Sequence, residues 1–303
     1  MYFIERKIIL VSGKGGVGRT VVTAALAKAA AKAGKRTLAL EIGYEAGAQS
    51  ALGIQFGRKD LSHEPVPIET NLFLGRLSAR TGHADFLRTI LPSKTLIAAA
   101  LRSKAVQKFL VAAPSLHEMG IFYHLLSLTQ KTQRNGQPLY DLVIVDMPAT
   151  GHTLALTGLP KILLRLIPGG PIAKALQYGQ KLLNDPDQGE AWIVTLPEKL
   201  PVTEACELVA GLRETNMPVG GIILNRMPQN PFRDDERAAM TEYLNEQAFF
   251  GKLSLDRIDA AQVALSSLKA QLEIPVLVLP EQAGPADTVT GLTHRLSTLI
   301  GSK

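Results

Sequence analysis

The chain of 303 residues has little cysteine and few aromatic residues. Its single cysteine, Cys206, excludes an internal disulfide and a metal site built from several thiolates. No apolar run is long enough to cross a bilayer, and the first residues do not form a secretory signal pattern. These absences argue against a disulfide-stabilised secreted protein and against an integral membrane protein. We therefore expect a cytoplasmic protein.

Basic residues outnumber acidic ones modestly, with 33 Lys and Arg against 27 Asp and Glu and a net charge of +6. The excess is concentrated between residues 75 and 136. A solvated helical face is the simpler interpretation, and a docking surface for an acidic partner or an anionic membrane is the alternative. No nucleic-acid-binding motif is present, so we expect no specific nucleic-acid partner.

A glycine-rich segment at residues 13–20 dominates the sequence. It follows an apolar run at 7–12, typical of a buried strand, and precedes an apparent helix. Strand, glycine-rich turn and helix together predict a loop whose backbone amides bind phosphates. The candidate phosphate-binding residues are Gly13, Lys14, Gly15, Gly16, Val17, Gly18, Arg19, Thr20 and Val21.

Two positions in this segment are unusual. Arg19 stands where the usual motif has lysine, which keeps the charge but changes the shape of the head group. Lys14 follows the first glycine, and this form resembles the deviant phosphate loop of the MinD/ParA, nitrogenase iron-protein and ArsA-type ATPases. The resemblance implies that Lys14 crosses a dimer interface to the partner's nucleotide.

A further apolar strand is predicted at residues 140–146, and it ends in Asp146. Ligands of open α/β sheets bind at this edge. Asp146 and the hydroxyl of Thr20 are therefore candidates to hold Mg²⁺, with Asp146 also a catalytic candidate. An aspartate that only caps a turn is the alternative.

The segment after Asp146 contains Thr150-Gly151-His152-Thr153-Leu154. This run resembles the second switch segment of the ArsA-type family, which includes arsenite-pump ATPases and the eukaryotic ATPase that targets tail-anchored proteins. Further on, Asn225, Arg226 and Pro280 resemble that family's adenine-binding turns. There the amide of the asparagine reads the base, although an asparagine that only forms a turn is the alternative.

The expected fold is α/β, a P-loop NTPase with a mostly parallel central sheet flanked by helices. We expect one domain over residues 1–303, with a helical subdomain inserted at about 80–135 and 155–185. In the targeting relatives, the region matching 159–183 helps to form a hydrophobic client groove. A packed helical lid is the alternative interpretation.

The sequence departs from the family at its first switch segment. The family's water-orienting aspartate falls on Gly43, and the nearest acids are Glu41 and Glu45. Alternation along an extended chain places Glu41 on the same side as residue 43, so Glu41 is a candidate substitute. The chain also lacks Cys-x-x-Cys and the three thiolates that arsenite needs, which disfavours a zinc-bridged dimer and arsenite transport.

Two functions remain open at this point. The first is an ATPase in which ATP and Mg²⁺ clamp two subunits together. The second is a weakly active or inactive nucleotide-binding partner of a competent paralogue, motivated by Gly43 and Arg19. Either assembly could be a homodimer or a heterodimer, with a hydrophobic protein client or a membrane as a further partner. A MinD/ParA-like positioning ATPase is a weaker third option, because residues 298–303 are too short for an amphipathic membrane-binding tail.

Overall fold

The computed structural model describes most of the chain. The described residues are 2–43, 49–90, 114–148, 150–166, 168–233, 235–240, 251–282 and 288–301, with isolated residues between 93 and 103. Of the features predicted from sequence, Glu45 and most of residues 91–113 in the predicted helical subdomain lie outside these ranges.

The described chain contains eight strands and nine α-helices. The strands are β1 (Ile8–Gly13), β2 (Thr37–Ile42), β3 (Val66–Glu69), β4 (Leu72–Leu77), β5 (Leu142–Asp146), β6 (Gly189–Thr195), β7 (Val219–Met227) and β8 (Val276–Pro280). The helices are α1 (Arg19–Lys32), α2 (Ala51–Ile54), α3 (Ala79–Ile90), α4 (Pro114–Thr129), α5 (Thr150–Leu166), α6 (Gly170–Asn184), α7 (Lys199–Glu214), α8 (Lys252–Gln271) and α9 (Thr288–Gly301), after a 3₁₀ turn at Tyr2–Glu5.

All eight strands form one sheet in the order β3-β4-β2-β5-β1-β6-β7-β8. Every neighbouring pair is parallel except β3 and β4. This architecture confirms the predicted α/β class with a mostly parallel sheet. Because the carboxyl ends of the parallel strands share one edge, β1, β2, β4 and β5 bring their last residues together there.

The strands read as continuous apolar runs because helices cover both faces of the sheet. On one face α1 packs against α9 and the strands, with buried residues such as Val22, Leu26, Leu292 and Leu296. Alanines dominate the buried side of α1, and their small side chains let the helix lie close to the sheet. This packing fixes the start of α1, and with it the end of the glycine-rich segment.

The opposite face is covered by α4 to α8, and α3 packs on α4. Phe122 of α4 and Leu176 of α6 are fully buried in the same core as the strand residues Leu10 and Val145. The segments proposed as a helical subdomain therefore share their hydrophobic core with the sheet. No helix of the described residues is both long and apolar enough to span a membrane.

Some boundaries differ from the sequence-based expectation. α5 begins at Thr150 and continues through Pro160, so residues of the expected second switch segment form its first turn. Pro114 is the first described residue of α4, a position that proline tolerates well. The short edge strand β3 was not predicted, because its four residues include Pro67 and carry little pattern.

Candidate functional site

The glycine-rich segment forms a curled loop between β1 and α1. Gly13 has a φ of 151°, and a Cβ there would lie 2.3 Å from the carbonyl oxygen of Val194 in β6. Gly18 has a φ of 87°, and a Cβ there would lie 2.4 Å from Nδ2 of Asn225. Glycine is required at both positions, because neighbouring strands approach the loop backbone directly.

The inner amides of the loop are available to a ligand. Among the described residues, the backbone N–H groups of Gly15, Gly16 and Val17 have no hydrogen-bond acceptor. A Cβ on Gly15 or Gly16 would meet nothing within 4 Å, so open space lies beside them. Since α1 starts at Arg19, its positive end points toward the same space. Free amides beside a helix N-terminus form a site for an anion such as phosphate.

Arg19, Thr20 and Asp146 meet at one end of this loop. The hydroxyl of Thr20 donates to Oδ2 of Asp146 at 2.7 Å, and Nε of Arg19 donates to Oδ1 at 3.1 Å. Arg19 also donates from Nη1 to the carbonyl oxygen of Gly13 at 2.7 Å. The structure thus brings together three of the residues selected from sequence.

The Asp146 carboxyl group is 7% exposed. Burial raises its pKa above the usual aspartate value, although the Arg19 guanidinium and the Thr20 hydroxyl act in the opposite direction. A carboxylate in this environment gains more from an added cation than an exposed carboxylate does, because nearby water does not compensate its charge.

The oxygen atoms of Thr20 and Asp146 fit Mg²⁺, which prefers hard oxygen ligands and retains several waters. Their 2.7 Å separation places a hydroxyl and a carboxylate side by side next to the phosphate loop. Within the described part of the chain, no cluster of three or more His, Cys, Asp or Glu residues could hold a metal alone. The remaining ligands would come from water and from nucleotide phosphates.

Asp146, Glu41 and Arg76 form a row across three neighbouring strands. Asp146 of β5 pairs in register with Glu41 of β2, and Glu41 pairs with Arg76 of β4. Arg19 and Thr20 line a cavity of about 230 Å³ together with this row. Charged groups of both signs therefore surround the space next to the loop.

The carboxylate of Glu41 is fully engaged within the chain. Oε1 accepts from Nε and Nη2 of Arg76 at 3.2 and 3.0 Å. Oε2 accepts from the Ser50 hydroxyl and the Leu52 amide, both at 2.9 Å. A carboxylate offers about four acceptor positions, so these bonds leave little capacity to orient a water molecule. The geometry favours a structural role for Glu41 over the water-orienting role expected from sequence.

Gly43 lies directly under the Arg76 side chain. A Cβ on Gly43 would be 2.6 Å from Cδ of Arg76 and 2.9 Å from its Cγ. Arg76 therefore occupies the space into which a side chain at position 43 would extend. This contact gives a structural reason for glycine where the resembling family has aspartate.

A larger cavity of about 830 Å³ lies on the other side of the loop. Val21, Asn225, Arg226 and Pro280 line it, so the residues expected to contact adenine lie around one space. Asn225 is 4% exposed, and its Nδ2 donates to the Val17 carbonyl oxygen at 2.9 Å. Part of its amide is thus used to hold the phosphate loop.

The Lys14 side chain contacts a helix of its own chain. Its Nζ forms an ion pair at 2.9 Å with Oε1 of Glu204 on α7, and its side chain is 46% exposed. Lys14 is therefore held against its own chain, on the surface beside the loop.

The first turn of α5 connects the loop to the helical layer. The hydroxyls of Ser12 in β1 and Thr153 in α5 are hydrogen-bonded at 2.8 Å in the core. On the same turn, Nδ1 of His152 lies 3.3 Å from Oε1 of Glu118 on α4. Movement of this turn would reach β1 through the Thr153 contact and α4 through the His152 contact.

Sequence reasoning did not identify the roles of Arg76 and Glu204. Arg76 was noticed only as one of several basic residues in the segment 75–136. A usable signal was present, because Arg76 is a charged residue near the end of an apolar strand, at the edge where ligands bind. Glu204 offered no such signal, since it is an ordinary polar residue of a surface helix.

Several known proteins are similar to this chain in sequence. Residues 6–168 match the family model described as anion-transporting ATPase. The chain is 28% identical over 225 residues to ATPase BagA of Mycobacterium tuberculosis, covering 73% of this chain and 65% of that protein. It is 24% identical over 292 residues to the arsenical pump-driving ATPase of Escherichia coli, covering 92% of this chain and 44% of that protein. It is also 23% identical over 278 residues to an ATPase ASNA1 homolog of Entamoeba dispar, covering 79% of this chain and 83% of that protein.

Proposed function

Because the chain belongs to the anion-transporting ATPase (ArsA) family, we propose that it binds ATP with Mg²⁺ at residues 13–20 and works as a nucleotide-gated dimer. The observation that carries the proposal is the set of unpaired amides at Gly15, Gly16 and Val17 beside the Arg19–Asp146 ion pair. The family match covers more than half of the chain, whereas the match to BagA covers 65% of that protein. Activity, partners and substrates are therefore proposed for this chain on its own residues.

Each residue of the site has a proposed task. The loop amides and Arg19 bind the phosphates, and Thr20 and Asp146 hold Mg²⁺, which neutralises charge on the phosphate oxygens when bound. Arg19 and Thr20 both bond Asp146 in this structure, so nucleotide binding would redirect the Arg19 guanidinium from the carboxylate to a phosphate. Asn225, Arg226 and Pro280 line the space for the base.

Lys14 is proposed to contact the nucleotide of the partner subunit, as the family resemblance implies. That contact requires Lys14 to leave Glu204. An ion pair open to solvent is worth about 1 kcal/mol or less; this pair is partly exposed, so a phosphate can displace Glu204 at modest cost. Homodimers and heterodimers with a paralogous ATPase are both compatible with this arrangement.

A second candidate function is a nucleotide-binding partner with weak or no hydrolysis. It is favoured by one specific observation: Glu41 bonds Arg76, Ser50 and Leu52, and position 43 has no side chain. Neither residue is then placed to orient the attacking water. Losing such a group reduces turnover strongly while leaving nucleotide affinity intact.

The helical layer is the proposed site for a hydrophobic client, in a protein that we place in the cytoplasm. Ile162 of α5 is 58% exposed and Tyr178 of α6 is 39% exposed. These two side chains lie on the helices that follow the His152 turn, so nucleotide state and client binding could influence each other through that turn.

The proposal is tested by calorimetry with ATP and Mg²⁺, light scattering and a phosphate-release assay on the purified chain. Binding with turnover above a Lys14→Ala control supports an ATPase. Binding with no turnover above that control supports the second candidate. Absence of any adenine nucleotide binding at millimolar concentration would refute both.

A further inference from the structure

Arg76 is a buried cation that faces the cavity beside the glycine-rich loop. It is not among the site residues predicted from the sequence motifs. It is 7% exposed and lines the 230 Å³ cavity together with Arg19, Thr20 and Asp146. A buried guanidinium must be compensated by acceptors, so its position is set by specific partners and not by solvent.

Two carboxylates among the described residues, those of Glu41 and Asp60, contact the Arg76 guanidinium. Nε and Nη2 donate to Glu41, which is itself fixed by Ser50 and Leu52. Nη1 forms an ion pair at 2.8 Å with Asp60, whose side chain is 69% exposed. The pair with Glu41 is buried and rigid, whereas the pair with Asp60 is open to water and screened.

The reach of Arg76 is compatible with a phosphate bound next to Thr20. Arg76 lies in register with Asp146 but two strands away, about 10 Å across the sheet. Both residues line the same cavity. Gly43 leaves the path over β2 open, because a Cβ there would collide with Cδ of Arg76. Arg76 can therefore occupy this part of the cavity only because residue 43 has no side chain.

We propose that Arg76 contacts the terminal phosphate of ATP from within the same chain, while Glu41 positions its guanidinium. The inference rests on the proposed nucleotide site. The exposed Asp60 contact is the one that a phosphate replaces, and the Glu41 contact is retained. Arg76 then distinguishes ATP from ADP, since only ATP places a phosphate at this distance from the loop. Glu41 is a positioning residue in this arrangement and not a base.

The test compares the affinities of Arg76→Gln and wild-type protein for ADP and for a non-hydrolysable ATP analogue, both with Mg²⁺. Loss of one hydrogen bond to a charged group predicts roughly tenfold to hundredfold weaker analogue binding, with ADP affinity changed by about twofold or less. Arg80→Gln, on the exposed start of α3, is the matched control and should change neither affinity.

Arg76→Gln leaves Glu41 without its cation and could unfold the site. The double variant Glu41→Gln/Arg76→Gln keeps a neutral hydrogen-bonded pair and should show the same selective loss of analogue binding. Equal losses for ADP and the analogue, or unchanged analogue affinity in a folded double variant, would overturn the role of Arg76 while leaving the nucleotide site standing. A wild-type chain that binds neither nucleotide would remove the site itself.

Discussion

Asn225, at the end of β7, donates from Nδ2 to the carbonyl oxygen of Val17 at 2.9 Å and so ties the phosphate loop to a strand more than 200 residues away in sequence. The contact is buried, and the φ of 87° at Gly18 allows the amide to lie against the loop backbone. Loop shape and the base-binding side of the site therefore depend on one side chain.

We expect Asn225→Ala to weaken ATP and GTP binding together and to lower the free energy of unfolding by about 1–3 kcal/mol, because the Val17 carbonyl loses its donor. If Asn225 also reads adenine, the preference for ATP over GTP falls as well. Calorimetry with both nucleotides separates the two effects. Asn230→Ala, on an exposed loop, is the control, and equal behaviour of the two variants would contradict the prediction.

Gly43→Ala should destabilise the protein although the backbone conformation of Gly43 is not left-handed. The added methyl group would meet the middle of the Arg76 side chain, and such overpacking typically costs about 1–3 kcal/mol. Removing the obstacle in Gly43→Ala/Arg76→Ala should cancel part of the cost, so the two changes should be non-additive. Denaturant unfolding of the single and double variants measures this coupling.

Gly158→Ala is the matched control for the steric argument. Gly158 lies inside α5, and a Cβ there would be at an ordinary 3.5 Å from Thr215. Alanine should stabilise that helix by about 0.5–1 kcal/mol. A Gly43→Ala variant as stable as wild type would contradict the prediction.

By the same steric reasoning, Gly43→Asp alone should not raise the rate of ATP turnover, because the Arg76 side chain occupies the space that the aspartate would need.

Glu204→Gln should favour the nucleotide-dependent dimer if Lys14 acts across the interface. Removing the carboxylate releases Lys14 from its own chain, so less ATP should be needed for association, by a factor of about five or less because the pair is partly exposed to solvent. Light scattering across an ATP titration measures the shift. Glu207→Gln, on the exposed side of the same helix, should behave as wild type.

Lys14→Ala should abolish the ATP-dependent increase in mass and leave the stability of the monomer nearly unchanged. An unaltered ATP-dependent dimer in Lys14→Ala would contradict the role carried over from the family resemblance.

The sequence was sufficient to predict the sheet edge and the glycine-rich loop between β1 and α1. Buried strands ending in Gly13 and Asp146, each with a phosphate-site motif, need only local pattern to be recognised. The Arg76–Glu41 contact was not predictable, since it depends on the register of β2 against β4, which only the folded sheet defines. The Lys14–Glu204 pair was missed for a related reason: it joins a loop to a helix that is remote in sequence.

The buried histidine His124 on α4 should make stability depend on pH. Nδ1 of His124 accepts from the Ser78 amide at 3.1 Å, and burial lowers its pKa from 6.5 to about 4, with a smaller opposing contribution from Asp85 and further lowering by His63 and Lys131. Between pH 4 and pH 6.5, His124 binds a proton more readily in the unfolded chain than in the folded chain. The contribution of neutral His124 is therefore complete above pH 6.5 and is lost as the pH falls toward 4.

At about pH 5 this loss amounts to about 2 kcal/mol relative to neutral pH. His124→Asn retains an acceptor near the Ser78 amide but cannot titrate, so its free energy of unfolding should fall less than that of wild type between these conditions. Urea unfolding at both pH values measures the difference. His294→Asn, at an exposed position of α9, should keep the wild-type pH dependence. If the free energy of unfolding changed equally with pH in all three proteins, the prediction that His124 stays neutral in the folded chain would be wrong.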